Sequence, residues 1–185
     1  MIMFYQLIFH GSTLPISKIL TTTSILPIIM VPYLLDKVFH YQMKEGTQLA
    51  YYVFILISLA LGSILGLYHK ISWFDLLAHF LTGIVSSLAA LIILEKVGLL
   101  KEERVGFIFF FMLLLGLAVS SCWEFFEFFS DKIFDGDTQF VKSTGVDDTM
   151  EDMLIAFLGS ILFSGYTCIK MKKDHAYIKK IKKLI

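Results

Sequence analysis

Three short stretches carry ionisable side chains at helical spacing. Trp73-Phe-Asp75-Leu-Leu-Ala-His79-Phe-Leu-Thr-Gly83 sets a carboxylate and an imidazole four residues apart, hence on one helical face. Trp123-Glu124-Phe-Phe-Glu127 holds an i, i+3 acid pair, and Asp147-Asp148-Thr-Met-Glu151-Asp152 sets Asp148 and Asp152 four apart. Carboxylates around a single imidazole are donors suited to Mg²⁺, Mn²⁺ or Zn²⁺, in a one- or two-metal centre. On this reading Asp75, His79, Glu124, Asp148 and Asp152 are metal ligands and Glu127 is the general base. His69 could join from a neighbouring turn, whereas His10, His40 and His175 are not expected there. Iron chemistry of the histidine-rich desaturase kind needs several more histidines.

Helix capping and proton sharing compete with metal binding for these acids. Asp148 with Glu151 fits a capping box, and acids in a first turn, Asp75 included, are favoured by the helix dipole. Glu124 and Glu127 do not fit it, because they fall near a helix carboxyl end among Phe125, Phe126, Phe128 and Phe129. Nine of the sixteen acids lie between Glu124 and Asp152 against only two lysines, a net charge of −7 for that stretch. Lys70, Lys132 and Lys142 are the only bases near these ends. Carboxylates so poorly matched are most cheaply reconciled by bound cations or shared protons, with a coincidental grouping as the third reading.

The elements that must position these groups are membrane helices. Of 185 residues, 57% are hydrophobic and 17% charged, with mean hydropathy +0.75. That composition disfavours a soluble enzyme or a disulfide scaffold, and zero net charge argues against nucleic acid as a partner. A span needs about 20 mostly apolar residues. Residues 48–68, 73–94, 105–129 and 148–169 qualify, and 19–35 is a fifth span kinked by Pro27 and Pro32. Residues 1–10 are too short to cross and read as an interfacial stretch.

Five spans put twelve basic residues on one side, seven of them in the tail 170–183, and only Lys18, Lys70, Lys132 and Lys142 on the other. The expectation is an all-α polytopic membrane bundle of about five transmembrane helices, one domain over 1–185. Its amino terminus is outside and its tail, 170–185, is inside. All three motif-bearing ends then lie at the outer face. At 1.5 Å per residue His79 sits about 6 Å below Asp75, Asp152 about 6 Å below Asp148, and Glu124 about 4.5 Å below Glu127. Cys122 and Cys168 fall near opposite ends, too far apart to bridge, and read as packing residues. Ile178, Ile181, Leu184 and Ile185 recur between lysines as in a basic amphipathic helix on anionic lipid. Gly62-x3-Gly66 reads as a helix-packing signature, with Ala156, Gly159 and Ser160 as a second set of small residues.

In order and spacing, the three motifs resemble an inner-membrane family of bacteria typified by YjdF. They are more distantly similar to VanZ-like membrane proteins, which carry an aspartate-x3-histidine-phenylalanine element in a span. The likeness covers about residues 73–164. One departure is the run Thr144-Gly145-Val146-Asp147-Asp148, where that family has a longer Gly/Gln/Trp-containing stretch. The resemblance implies a multi-pass protein of the bacterial plasma membrane, treats the polar positions as a unit, and implies no particular reaction.

Three functions remain open. The first is a divalent-metal-dependent hydrolase or transferase acting on a lipid or lipid-linked substrate. The second is an ion- or proton-coupled transporter, or a metal-binding membrane protein without catalysis. Below the site, though, only Ser86, Ser87 and Ser120 offer a polar path. The third is a structural or interaction subunit.

Overall fold

The computed structural model describes residues 27–134 and 136–185. The described chain is helical: α1 (Val31–Phe39), α2 (Glu45–Ile55), α3 (Leu67–Lys70), α4 (Phe74–Lys96), α5 (Val105–Phe134), α6 (Val141–Thr144), α7 (Asp147–Lys173) and α8 (Tyr177–Leu184). Four stretches are long and apolar enough to cross a membrane: Glu45–Ile64, Phe74–Lys96, Glu102–Ile133 and Asp147–Lys173. They match the spans expected from 48 onward; the last three run two to four residues past the expected carboxyl ends because polar terminal turns continue the helix, whereas the first ends short of residue 68. Of the expected span 19–35, residues 19–26 lie outside the described residues, as does the interfacial stretch 1–10. Its end enters α1, which has a proline in its first turn.

The second span differs in kind from the expectation. After α2 the chain continues as a π-helical segment, Leu56–Ile64, and stops at Gly66, whose φ of +70° suits a residue without a side chain. Residues 65–68 therefore form a turn and the start of α3, not the last turn of the span. Nor do Gly62 and Gly66 make a helix–helix seam. A Cβ at Gly62 would overlap the ring of Tyr68, folded back against it.

Helices α4, α5 and α7 form the body, each packed on the other two, and α2 leans on α4. Small residues set their register. A Cβ on Gly83 would strike the Ala156 carbonyl, one on Gly159 the Phe80 carbonyl, and one on Gly116 the Ser160 hydroxyl. Ser160 Oγ, fully buried, lies 3.1 Å from both the Gly83 and Ala156 carbonyls. Asp75, Glu124 and Asp152 are each eight residues from a member of this seam (Gly83, Gly116 and Ser160), on the side of the lysine-poor end. Eight residues are about two turns, or roughly 12 Å. The contact at the middle thus lifts three acids from three helices into one layer.

The opposite end carries the apolar core. Leu91, Leu94, Ile108, Met112 and Met171 are essentially inaccessible, and Ile178, Ile181 and Ile185 pack onto the same cluster. Helix α8 therefore lays most of its apolar stripe on the protein's own bundle, with only Leu184 exposed, and not on lipid as the tail's pattern suggested. Tyr41 and Thr47 donate to the Ile185 and Leu184 carbonyls (3.0 and 3.1 Å), supplying donors that a helix end lacks. Of the cysteines, Cys168 is buried against the Val105 carbonyl as expected. Cys122 is exposed, on a face of α5 that no other described helix covers.

Candidate metal centre

At the lysine-poor end, α4 and α7 bring together three of the five expected ligands. His79 Nε2 lies 3.7 Å from Asp75 Oδ1 on its own helix and 3.5 Å from Asp152 Oδ2 across the interface. One donor atom from each residue falls within 4.8 Å of the other two. Ligands about 2.1 Å from one ion stand roughly 3 to 4 Å apart, a range that the two contacts of His79 meet. His79 and Asp152 are 5% and 2% exposed, and Asp75 is half-buried. His79 Nδ1 is buried without a hydrogen-bond partner among the described residues.

Glu124 and Asp148 stand next to this group but outside it. Glu124 is 3% exposed, and its Oε1 has no partner among the described residues. Its Oε2 accepts from Gln139 Nε2 at 3.1 Å, and the same amide nitrogen reaches Thr149 Oγ1 at 3.1 Å and the Glu124 carbonyl at 3.2 Å. Asp148 lines the wall of a cleft of about 260 Å³ with Tyr68, Asp75, Phe140, Glu151 and Asp152. Glu127 is half-buried, accepts from Trp123 Nε1 at 3.0 Å, and is not part of the cleft wall. His69, considered as a further ligand, is exposed and meets the Phe140 ring edge-on at 5.7 Å.

The remaining acids divide by role. Asp131, at the end of α5, holds the loop that delivers Gln139. Its Oδ1 accepts from the Thr138 amide and hydroxyl (both 2.8 Å) and its Oδ2 from the Gln139 amide (3.2 Å). Asp137 accepts from the Lys142 amide. These two account for part of the acidic run without any ligand. The three lysines of this end are also directed elsewhere. Lys70 Nζ donates to the Leu65 carbonyl at 2.8 Å, Lys142 Nζ to the Gly136 carbonyl at 3.4 Å, and Lys132 sits over the Phe128 ring. None forms an ion pair with the cluster among the described residues.

Sequence reading missed Gln139 and Tyr68. A lone amide in a loop has no periodicity to reveal it. Tyr68 looked like the end of a span, and only the break at Gly66 turns its ring back toward the cleft. Burial, followed by the charges of Asp75, Glu127 and Asp152, holds its phenol well above the usual range, so it stays protonated.

Fold and site together define a multi-pass helical membrane protein with a carboxylate–imidazole cluster at one mouth of the bundle. The chain belongs to the family described as predicted membrane protein (DUF2238), whose model matches residues 1–173. It is also similar to a protein of Thermotoga maritima described as uncharacterized, with 33% identity over 129 residues. That match covers 69% of this chain and 65% of the relative, so just under two thirds of the relative's length is represented. No solved structure matches the chain.

Proposed function

We propose that this protein is a divalent-metal-dependent membrane hydrolase or transferase acting on a lipid or lipid-linked substrate at the mouth of the bundle. The observation that carries the reading is the Asp75–His79–Asp152 group, with His79 and Asp152 buried and no lysine among the described residues turned toward it. One buried and one half-buried acid beside an imidazole in an apolar bundle call for a counter-charge, which a divalent cation would supply. Three protein ligands leave a coordination position free, the mark of catalytic sites as opposed to structural ones. The cleft opens beside that position, and exposed Trp73, Trp123 and Phe126 ring the same end, as aromatic residues do at a membrane interface.

In this reading Asp75, His79 and Asp152 would hold Zn²⁺, Mg²⁺ or Mn²⁺, with Asp148 or Glu124 as a further donor beside the position left open. The ion would supply Lewis-acid activation of a water or acceptor hydroxyl, and Glu127 would be the group that accepts its proton. The likeness of the motifs to YjdF-type and VanZ-like proteins supports treating these residues as a unit. A transporter is the less favoured reading, since the seam of Gly83, Gly116 and Ser160 closes the bundle beneath the cluster. The test is elemental analysis of the purified full-length chain in detergent, beside an Asp152→Asn variant. About one equivalent of metal in the parent and a marked loss in the variant supports the proposal. A folded, metal-free parent that takes up no Zn²⁺, Mn²⁺ or Mg²⁺ on titration sinks it.

A further inference from the structure

The cleft above the cluster is lined by four carboxylates, Asp75, Asp148, Glu151 and Asp152, and by no lysine or arginine. A substrate oxygen that gains negative charge there must find a neutral donor. Three hydroxyl-bearing residues line the wall: Tyr68, Ser72 and Thr144. Thr144 Oγ1 is committed to the Phe140 carbonyl at 2.9 Å. Ser72 is exposed at the rim. Tyr68 is half-buried, and its hydroxyl makes no hydrogen bond among the described residues. Its ring is fixed from two sides, by the backbone of Gly62, where even a methyl group would overlap it, and by the edge of Phe74 at 5.6 Å between centroids.

We infer that Tyr68 is a catalytic residue, the hydrogen-bond donor to a phosphoryl oxyanion held at the open position of the Asp75–His79–Asp152 centre. The inference rests on the metal reading above and adds a substrate class to it, a phosphate ester. A phosphoryl oxygen on the ion carries charge that the ion alone does not neutralise, and a fixed donor in a site shielded from water holds it without reorganisation. The π-helical segment Leu56–Ile64 and the left-handed Gly66 are then the devices that hold the Tyr68 ring against Gly62 in the cleft wall, consistent with the frequent placement of such irregular turns at functional sites. The phosphate could belong to a lipid headgroup or to a water-soluble ester, and both present the same oxygens.

The experiment titrates inorganic phosphate into the full-length, Mn²⁺-loaded protein in neutral detergent, with a parallel arm in which the micelles carry phosphatidic acid. Tyr68→Phe is expected to keep parental Mn²⁺ affinity and to lose roughly ten- to hundred-fold in phosphate affinity, the worth of one hydrogen bond to a charged group. Gly62→Ala, which displaces the ring without removing the hydroxyl, is expected to weaken phosphate in the same direction. Ser72→Ala is expected to have no effect. Tighter binding in the phosphatidic acid arm assigns the lipid source, and equal binding assigns the soluble one. Unchanged phosphate affinity in Tyr68→Phe, the loss appearing instead in Ser72→Ala, or no phosphate binding to the loaded parent each overturns the inference while the metal reading stands. A parent that binds none of Mn²⁺, Zn²⁺ or Mg²⁺ overturns both.

Discussion

His79 Nε2 stands 3.5 Å from Asp152 on another helix and 3.7 Å from Asp75 on its own. The shorter contact therefore crosses the α4–α7 interface, and the group exists only when the two helices are packed in register. Asp152→Asn keeps size and hydrogen-bonding capacity but removes a charge, as does Asp75→Asn. Each is expected to weaken divalent metal binding by about a hundred-fold or more, and His79→Gln by a similar amount, since the proposed metal reading makes all three direct ligands. Titration with Zn²⁺ or Mn²⁺, alongside thermal melts that verify folding, checks this. Parental affinity in all three variants would refute the assignment.

The register itself is open to test. Gly83→Ala and Gly159→Ala place a methyl group against backbone carbonyls that cannot turn aside. Each is expected to destabilise by about 1–3 kcal/mol or more, because helix backbones must separate to admit the atom. Gly106 and Gly165 have nothing within 4 Å of such a methyl, so their alanine variants should stay within about 1 kcal/mol of the parent. Reversible denaturation in mixed micelles distinguishes the pairs. The seam variants should also bind metal less well, since they shift the layer holding Asp75, Glu124 and Asp152.

At the lysine-rich end, His175 Nδ1 lies 2.8 Å from Glu102 Oε2, which ties the segment leading into α8 to the start of α5. The hydrogen bond to Glu102, and then its charge, raise the imidazole above its ordinary value of 6.5. A group whose folded pKa is raised stabilises in full below its unfolded pKa, and that contribution is lost as pH rises through the folded value. Docking of α8 should therefore loosen modestly as pH climbs from about 6 past neutrality. Amide exchange over residues 177–184, compared between the parent and Glu102→Gln at each pH, measures it. The two should differ at low pH and converge at high pH, and 1 M salt should narrow the low-pH gap because the pair is exposed. An equal difference at both ends of the range would exclude the pair as the cause.

Apolar length was enough to place the four described spans, because a helix in lipid must satisfy its own backbone and leaves a continuous hydrophobic signature. The i, i+4 spacing of Asp75 and His79 was enough to put both on one face. Helical rise and alternating direction grouped His79 with Glu124 and Asp152 as the deeper level, one turn below Asp75, whereas the seam contacts set Asp75 in the layer of Glu124 and Asp152. What spacing along one helix could not supply was the choice among acids across helices. That choice follows from the Gly83, Gly116 and Ser160 contacts and from the loop carrying Gln139, which engages Glu124. The inward turn of Tyr68 was hidden for a similar reason. A π-helical segment has the same composition as the α-helix it replaces, so nothing in residues 56–64 announced it. The tail was misjudged because an apolar stripe between lysines looks the same whether it lies on lipid or on its own bundle.

Glu124 separates the metal from the remaining alternative, a set of acids sharing protons. Its carboxylate is buried, with one oxygen on Gln139 and the other unpartnered among the described residues. Glu124→Gln removes one negative charge while leaving volume and most hydrogen-bonding capacity in place. If an ion holds the neighbouring acids, the parent is stabilised by it, by about 2.7 kcal/mol when free metal is a hundred times its dissociation constant. A chelator should then lower the parent's melting temperature, and the Gln variant, with a weakened site, should respond less. If protons are shared instead, the amide mimics the protonated acid and relieves repulsion, so the variant should be as stable as the parent or more so near neutral pH. Alanine would not discriminate, because the cavity it leaves is destabilising in either case. The decisive measurement is therefore four melting curves, parent and Glu124→Gln, each with and without chelator. A chelator-sensitive parent beside a less responsive variant is the expected result, and a chelator-insensitive parent beside a stabilised variant would replace the metal with the proton cluster.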